Sequence, residues 1–384
     1  MSNIPKLRFP EFSGEWEEKN LNSIFTKITQ RNSDNQNSNV ITNSATEGLV
    51  SQRDYFDKDI ANKDKTDNYF IIKNGDFVYN PRKSSAAPYG PFTQYKLLDD
   101  GIVSPLYLCL RKNNSEVESK YLENYFKTTC WHQYIYENGS SGARHDRVSI
   151  HDDVLLAMPI KVPSLPEQQK IADYLSNVDL IITAETKILN TLQKKKKALM
   201  QKLFTRQLRF KSDDGTDFPA WEEKKLGECV ISISSGKNKK KNSAGNFPVY
   251  GSMGIIGYSE QYVYNKDCIL VARVGANAGT LHIAKGKYDV SDNTLIIELN
   301  ENELLSFYYF LLVNINLNKL NYGTGQPLVT SGMLKNIDIQ IPCKAEQQKI
   351  ADCLSSLDSL IQTQQKVVTT WQQRKKALLQ QMFV

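Results

Sequence analysis

The chain has 384 residues, with 48 lysines and arginines against 42 aspartates and glutamates and a formal net charge of +6. That length accommodates two or more domains with cores of their own, and the mild basic excess permits a polyanionic partner without demanding one. The six cysteines (Cys109, Cys130, Cys229, Cys268, Cys343, Cys353) show no Cys-x-x-Cys spacing and read as free thiols, and four histidines supply a metal or triad site poorly.

The opening Met1–Lys6 has no apolar signal region, and nothing apolar is long enough to span a bilayer, so a soluble cytoplasmic protein is expected. Residues 1–15 form a lead-in carrying Leu7-Arg8-Phe9, followed by Trp16-Glu17-Glu18-Lys19 and Leu21. From 16 to 162, short apolar runs broken by turns (Phe70–Ile72, Asp76–Tyr79, Leu106–Leu110) predict strands, with one helix over Lys120–Tyr136. A helix follows within 163–205, opened by Ser164-Leu165-Pro166-Glu167, a capping-box pattern with proline in the first turn. Residues 206–220 read as a linker. They contain Leu208-Arg209-Phe210, and Trp221-Glu222-Glu223-Lys224 and Leu226 come next, echoing the lead-in. The region 221–341 again reads as strands (Cys268–Val271, Thr294–Ile297) with a helix over Glu303–Leu312, and 342–384 as a second long helix. The expected fold class is α+β: two mixed, strand-rich domains joined by two long antiparallel coiled-coil helices.

The helices are copies. Glu167-Gln168-Gln169-Lys170-Ile171-Ala172-Asp173 returns unchanged at Glu346–Asp352, and 21 of the 42 positions aligned from Pro163 and Pro342 are identical. Neither 167–204 nor 346–383 contains glycine or proline, so each predicts a helix of roughly 57 Å. Leu175, Val178, Ile182, Leu189, Leu192, Leu199 and Leu203 form one seam, and Leu354, Leu357, Ile361, Val368, Trp371, Leu378 and Met382 the other. Each seam has two polar breaks, Glu185 and Lys196 in one, Gln364 and Lys375 in the other. An antiparallel register pairing Glu185 with Lys375 and Lys196 with Gln364 matches them in kind and gives every apolar seam residue between 178 and 203 an apolar partner. Repeat and pairing together imply a pseudo-two-fold axis.

The doubled Pro-x-x-x-Glu-Gln-Gln-Lys-Ile-Ala-Asp helix entry, the Trp-Glu-Glu-Lys lead-ins and Gly323-Thr324-Gly325-Gln326 before the second helix resemble the specificity subunit of type I restriction–modification systems along the whole chain. In place of the last motif, the first domain has Gly139-Ser140-Ser141-Gly142-Ala143-Arg144. The resemblance implies two target-recognition domains, each reading half of a bipartite double-stranded DNA sequence. It implies that the helices act as a spacer and a platform for two modification (methyltransferase) subunits, with restriction (endonuclease/translocase) subunits outside. It also puts S-adenosylmethionine, ATP and Mg on those partners, with no cofactor and no catalysis on this chain.

The residues agree. The nearest string to an Asn/Asp-Pro-Pro-Tyr/Phe base pocket is Asn80-Pro81-Arg82-Lys83. Ser235-Gly236-Lys237-Asn238 lacks the upstream glycine and following Ser/Thr of a P-loop. Lys237, Lys239, Lys240 and Lys241 suit phosphate contact, though a solvated loop fits the same composition. Arg82 and Lys83, with Tyr89 nearby, and Arg144, His145 and Arg147 lie in Gly/Ser-rich loops. Arg273, Asn277 and Gln326 have the chemistry of bidentate base readout. Tyr250 suits the same face or a buried strand end. The run Lys194–Lys197 fits DNA or partner contact, and equally a solvated helix face. A protein-only scaffold would keep the helices without the cationic loops, and a stand-alone enzyme would need a motif that is missing. Domains a few tens of ångströms apart fit half-sites about one B-DNA turn (roughly 34 Å) apart.

Overall fold

The computed structural model describes residues 3–55, 66–141, 145–238, 245–320 and 327–384. It divides into two compact units, Met1–Glu185 with Val367–Val384, and Thr186–Lys366. Each long helix is therefore shared: its first half belongs to the domain it follows, its second half to the other.

The first unit holds strands β1 (Glu17–Asn20), β2 (Phe25–Lys27), β3 (Ile41–Ser44), β4 (Gly48–Ser51), β5 (Phe70–Ile72), β6 (Phe77–Tyr79), β7 (Phe92–Gln94), β8 (Gly101–Val103), β9 (Leu108–Lys112), β10 (Ser140–Ser141), β11 (Val148–Ser149) and β12 (Pro159–Val162). Its helices are α1 (Gln52–Tyr55), α2 (Ser119–Tyr125), α3 (His132–Asn138), α4 (Asp152–Leu156) and the start of α5 (Leu165–Phe204). The central antiparallel sheet runs β2-β9-β6-β7. One face packs on the aromatic cluster of Phe77, Phe92, Phe126 and Trp131, into which Met382 and Phe383 insert from the chain's end. The single helix expected over Lys120–Tyr136 is broken between α2 and α3. There Thr128 donates its hydroxyl to the Tyr125 carbonyl at 2.6 Å, and Trp131 donates Nε1 to the Phe126 carbonyl at 3.2 Å. The break turns Phe126 onto Phe92 in a parallel stack (3.8 Å between centroids) and buries Trp131, which a continuous helix would place on another face.

The second unit holds β13 (Glu222–Lys225), β14 (Val230–Ser235), β15 (Phe247–Gly251), β16 (Gly254–Ser259), β17 (Tyr264–Asn265), β18 (Cys268–Ala272), β19 (Leu281–Ala284), β20 (Lys287–Val290), β21 (Thr294–Leu299) and β22 (Asp338–Ile341). Its helices are α6 (Leu305–Ile315), α7 (Ser331–Lys335) and most of α8 (Lys344–Gln381). Two four-stranded sheets, β14-β21-β18-β19 and β16-β15-β20-β17, bury Cys268 and Leu270 of β18 with Tyr288 and Val290 of β20 in one cluster. The unbroken apolar run Cys268–Ala272 is buried on both faces, as expected of a strand covered on each side.

Both units are closed by the same device, which explains the repeated sequence. The Trp-Glu-Glu-Lys strand pairs antiparallel with the strand before the helix, β1 with β12 and β13 with β22, in matching register. Arg8 then forks onto the buried Glu167 with two 2.8 Å bonds, and Trp16 adds its Nε1 at 3.3 Å. Arg209 does the same to Glu346 at 3.0 and 2.7 Å, with Trp221 Nε1 at 3.1 Å. The carboxylate also sits in the first turn of its helix, where the exposed N–H groups favour negative charge. The glutamines that follow, Gln168 and Gln347, each donate to the proline carbonyl that precedes the helix, at 2.8 and 2.9 Å. Lys170 and Lys349 reach back to Glu11 and Asp213, over the rings of Phe9 and Phe218. Ile171, Ala172, Ile350 and Ala351 fill the two cores.

All fourteen predicted seam positions are buried or half-buried, and in each unit the helix segments run antiparallel. The polar pairs differ from the expected ones. Lys375 pairs with Asp179 and Lys196 with Asp358, each at 2.5 Å, not with Glu185 and Gln364 as predicted. A lysine stem is long enough to leave the seam and reach an acid beside it, which outweighs matching polar seam positions. Asp179 and Asp358 are repeat equivalents, so each unit has one such pair.

Candidate nucleic-acid interface

In the first unit, backbone pairing joins two loops that the sequence keeps 65 residues apart (147 − 82). Arg82 bridges Arg147 in antiparallel fashion. The Lys83 amide donates to the Asp146 carbonyl at 2.8 Å, and the Val148 amide to the Pro81 carbonyl at 2.9 Å. Arg82, Lys83, His145 and Arg147 thus form one basic rim, with the Arg82 side chain 68% exposed and Asp146 beside it at 3.7 Å. The rim stands on a buried amide network: Asn80 donates to the Asn43 carbonyl at 3.1 Å and accepts the Arg82 amide at 3.0 Å. Gly90 closes the loop with φ +84°, and a Cβ there would lie 2.1 Å from the Asn80 carbonyl oxygen. Tyr89 lies against His132 with the rings tilted at 50° and 4.9 Å between centroids, and burial holds that imidazole below its ordinary pKa. Asn43, Asn80 and His132 escape sequence reasoning because their contribution is to support the rim rather than face solvent; Gly90 was the one available signal. Arg144 lies outside the described residues.

In the second unit, the turn Ser291–Asn293 gathers the predicted residues. Asn238 accepts the Asp292 amide at 3.2 Å on its carbonyl, and donates its own amide to the Val290 carbonyl at 3.0 Å. Its side chain donates to Asp289 at 2.6 Å, anchoring the exposed Lys237 before it. The Arg273 amide donates to the Asn293 carbonyl at 2.9 Å, and its carbonyl accepts the Val329 amide at 2.8 Å. Lys237, Arg273 and Asn277 therefore share one rim, and Gly275 donates to the Pro327 carbonyl at 3.1 Å on the same loop. The Arg273 guanidinium is half-buried, reaches Ser235 only at 3.5 Å, and leaves its buried Nε without an acceptor. The rest of the half-exposed guanidinium has N–H donors left for a phosphate or base-edge acceptor. Tyr250 behaves differently. It is half-buried in β15 with its ring edge-on to Tyr288 at 5.6 Å, and burial raises its phenol pKa. Lys239, Lys240, Lys241 and Gln326 lie outside the described residues. Asn238 and Asn293, which sequence reasoning missed, join the rim through backbone bonds that carry no sequence signature. Of the run Lys194–Lys197, Lys196 turns inward to Asp358 and lies over Phe310 at 5.1 Å, and the other three face solvent.

Among the described residues no cluster of three or more His, Cys, Asp or Glu is placed to hold a metal ion, and no helix is long and apolar enough to cross a membrane. Two unlike strand-rich units on one repeated helical frame, each with a basic rim, are the organisation of a nucleic-acid recognition protein with two reading units. The type I restriction modification DNA specificity domain model matches residues 13–194 and 220–370, and the chain belongs to that family. It is 26% identical to a putative type I restriction enzyme MjaX specificity subunit of Methanocaldococcus jannaschii, covering 98% of this chain and 95% of that one. It is also 26% identical to the MjaVIII specificity subunit of that organism, over 73% of this chain and 72% of the relative. A solved type I restriction-modification S subunit from M. genitalium superposes with a TM-score of 0.61 at 17% identity, covering 99% of both chains.

Proposed function

We propose that this chain is the DNA-reading, non-catalytic subunit of a type I restriction–modification complex, in which each unit reads one block of a bipartite target. The observation that carries this is the Arg273 rim: a half-buried guanidinium with an unmade donor, beside Lys237, Asn238, Asn277 and Asn293, on a frame duplicated in a unit whose own rim differs. Arginine and amide side chains address guanine and adenine edges, while the lysines hold phosphates and position the duplex. The shared helices separate the two blocks by several unread base pairs, about one turn of B-DNA (~34 Å) between half-site centres. Two modification subunits dock on this frame and restriction subunits join outside them. S-adenosylmethionine, ATP and Mg belong to those partners, and the assembly works in the cytoplasm.

The test is genome-wide adenine methylation in a host carrying this chain with its modification subunit, compared with a host lacking only this chain. The expected result is one bipartite motif that disappears with the chain. Methylation unchanged by the deletion would refute the reading and favour a protein-only scaffold. A heptad inserted in both helices lengthens the unread gap and leaves both blocks intact.

A further inference from the structure

The hairpin of β15 and β16 is the edge of its sheet and carries an exposed apolar tip. Gly251 pairs with Gly254, so Ser252 and Met253 alone make the turn. Gly254 takes φ +96°, the left-handed residue that completes a tight hairpin turn and fixes the direction of its tip. Met253 is 77% exposed, the highest value for a large hydrophobic side chain among the described residues of its unit. Such exposure has no packing explanation, because the core beneath is closed by Tyr250, Tyr264 and Tyr288.

The tip lies at the candidate rim. Strands β15 and β20 pair in parallel, Tyr250 beside Val290, so both chains leave the sheet at the same end. There the Ser291 amide donates to the Tyr250 carbonyl at 2.8 Å, and the turn it opens holds Asn238 and Arg273 through backbone bonds. One end of the domain therefore presents a cation for phosphate, a guanidinium and amides for base edges, and a methionine on a two-stranded ribbon.

We infer that the β15–β16 hairpin enters the DNA major groove and that Met253 is a specificity residue contacting the 5-methyl group of a thymine in the block read by this unit, an assignment that rests on the recognition reading above. The major groove admits a two-stranded ribbon, and the thymine methyl is its one apolar feature, normally matched by an apolar side chain. The methionine thioether is unbranched and adaptable, which suits contact with a single methyl.

The experiment uses the complete complex of this chain with its modification subunits and a duplex bearing the methylome-derived motif. Thymines of the block read by the second unit are replaced one at a time by deoxyuridine, which removes only the methyl. One position is expected to weaken binding about fivefold. Met253→Ser weakens binding to the unmodified duplex by a similar factor and abolishes the uracil effect at that position, and Met253→Leu keeps both wild-type behaviours. The side chain is exposed, so both variants retain the wild-type melting temperature. Unchanged affinity in Met253→Ser, a persisting uracil effect in that variant, or a block with no A·T pair overturns the assignment while leaving the recognition reading in place. A complex without base preference anywhere in that block overturns both.

Discussion

Arg209→Ala tests whether the repeated closing device carries the stability of each unit. Glu346 is fully buried and Arg209 is 29% exposed, so removing the guanidinium leaves a buried carboxylate whose one remaining side-chain donor in the clasp is Trp221. Breaking a buried ion pair costs roughly 3–5 kcal/mol. Truncation also opens a path for water to the carboxylate, which brings the expected loss to about 2–3 kcal/mol. At roughly 2–4 °C per kcal/mol for a unit of this size, the melting temperature of the second unit falls by about 4–12 °C. The assay is urea and thermal unfolding of the full chain, followed by tryptophan fluorescence and circular dichroism, with the two units allowed separate transitions. Lys349→Ala is the control. Its partner Asp213 is 95% exposed, and such pairs contribute no more than about 1 kcal/mol. Arg8→Ala reproduces the effect in the first unit through Glu167, and Arg209→Lys, which keeps charge but loses the fork, recovers only part of it. Arg209→Ala matching Lys349→Ala within about 0.5 kcal/mol would refute the argument, because the clasp would then be no better than a surface pair.

Gly90→Ala strains a positive φ and drives a methyl into the Asn80 carbonyl; it is expected to cost more than about 1 kcal/mol and to weaken DNA binding by displacing Arg82 and Lys83, measured by melting and by affinity for the target duplex. Wild-type melting unchanged by this substitution would show that the loop is not held there. For His132, burial lowers the folded-state pKa below the unfolded value near 6.5, so the unfolded chain takes up the proton first. Its contribution is present above pH 6.5 and lost as pH falls below it; between pH 7.5 and 5.5 the wild type should lose more stability than His132→Phe, and equal losses would remove His132 from the account. A double-mutant cycle on Asp179 and Lys375 should show coupling of about 0.3–1 kcal/mol. Coupling of Lys375 to Glu185 in place of Asp179 would restore the pairing expected from the seam.

The frame was legible in the sequence because it is written in side-chain identities, and twice. Arg8, Trp16 and Glu167 are distant in the chain, yet each recurs with its partners as Arg209, Trp221 and Glu346, so the repeat marks them as one device. The helices were legible through their period, and the strands through runs such as Cys268–Ala272. The lysines' partners were not, because a lysine stem spans more than one turn and lets Lys196 choose Asp358 over a seam partner. The break before α3 was missed for a similar reason: helix propensity is local, while the burial of Phe126 and Trp131 is a tertiary demand.

The rims are another matter, and the difference bears on what the protein can become. Asn293 reaches Arg273, Val290 reaches Asn238 and Asp146 reaches Lys83 through backbone atoms that every residue possesses. Such pairing fixes where a loop stands without fixing which side chain it presents, so the identities at Arg82, Lys237, Arg273 or Met253 are free of the frame. A substitution at one of these positions changes the chemistry the rim presents at little cost to stability, whereas one at Glu167 or Glu346 damages the fold and offers nothing new. The two units bear this out within one chain. Their clasps are superimposable in chemistry, down to the tryptophan Nε1, and their rims share no motif. Evolution of a new target block therefore requires changes on the loops of one unit alone, and the other unit and the gap between the blocks remain as they were.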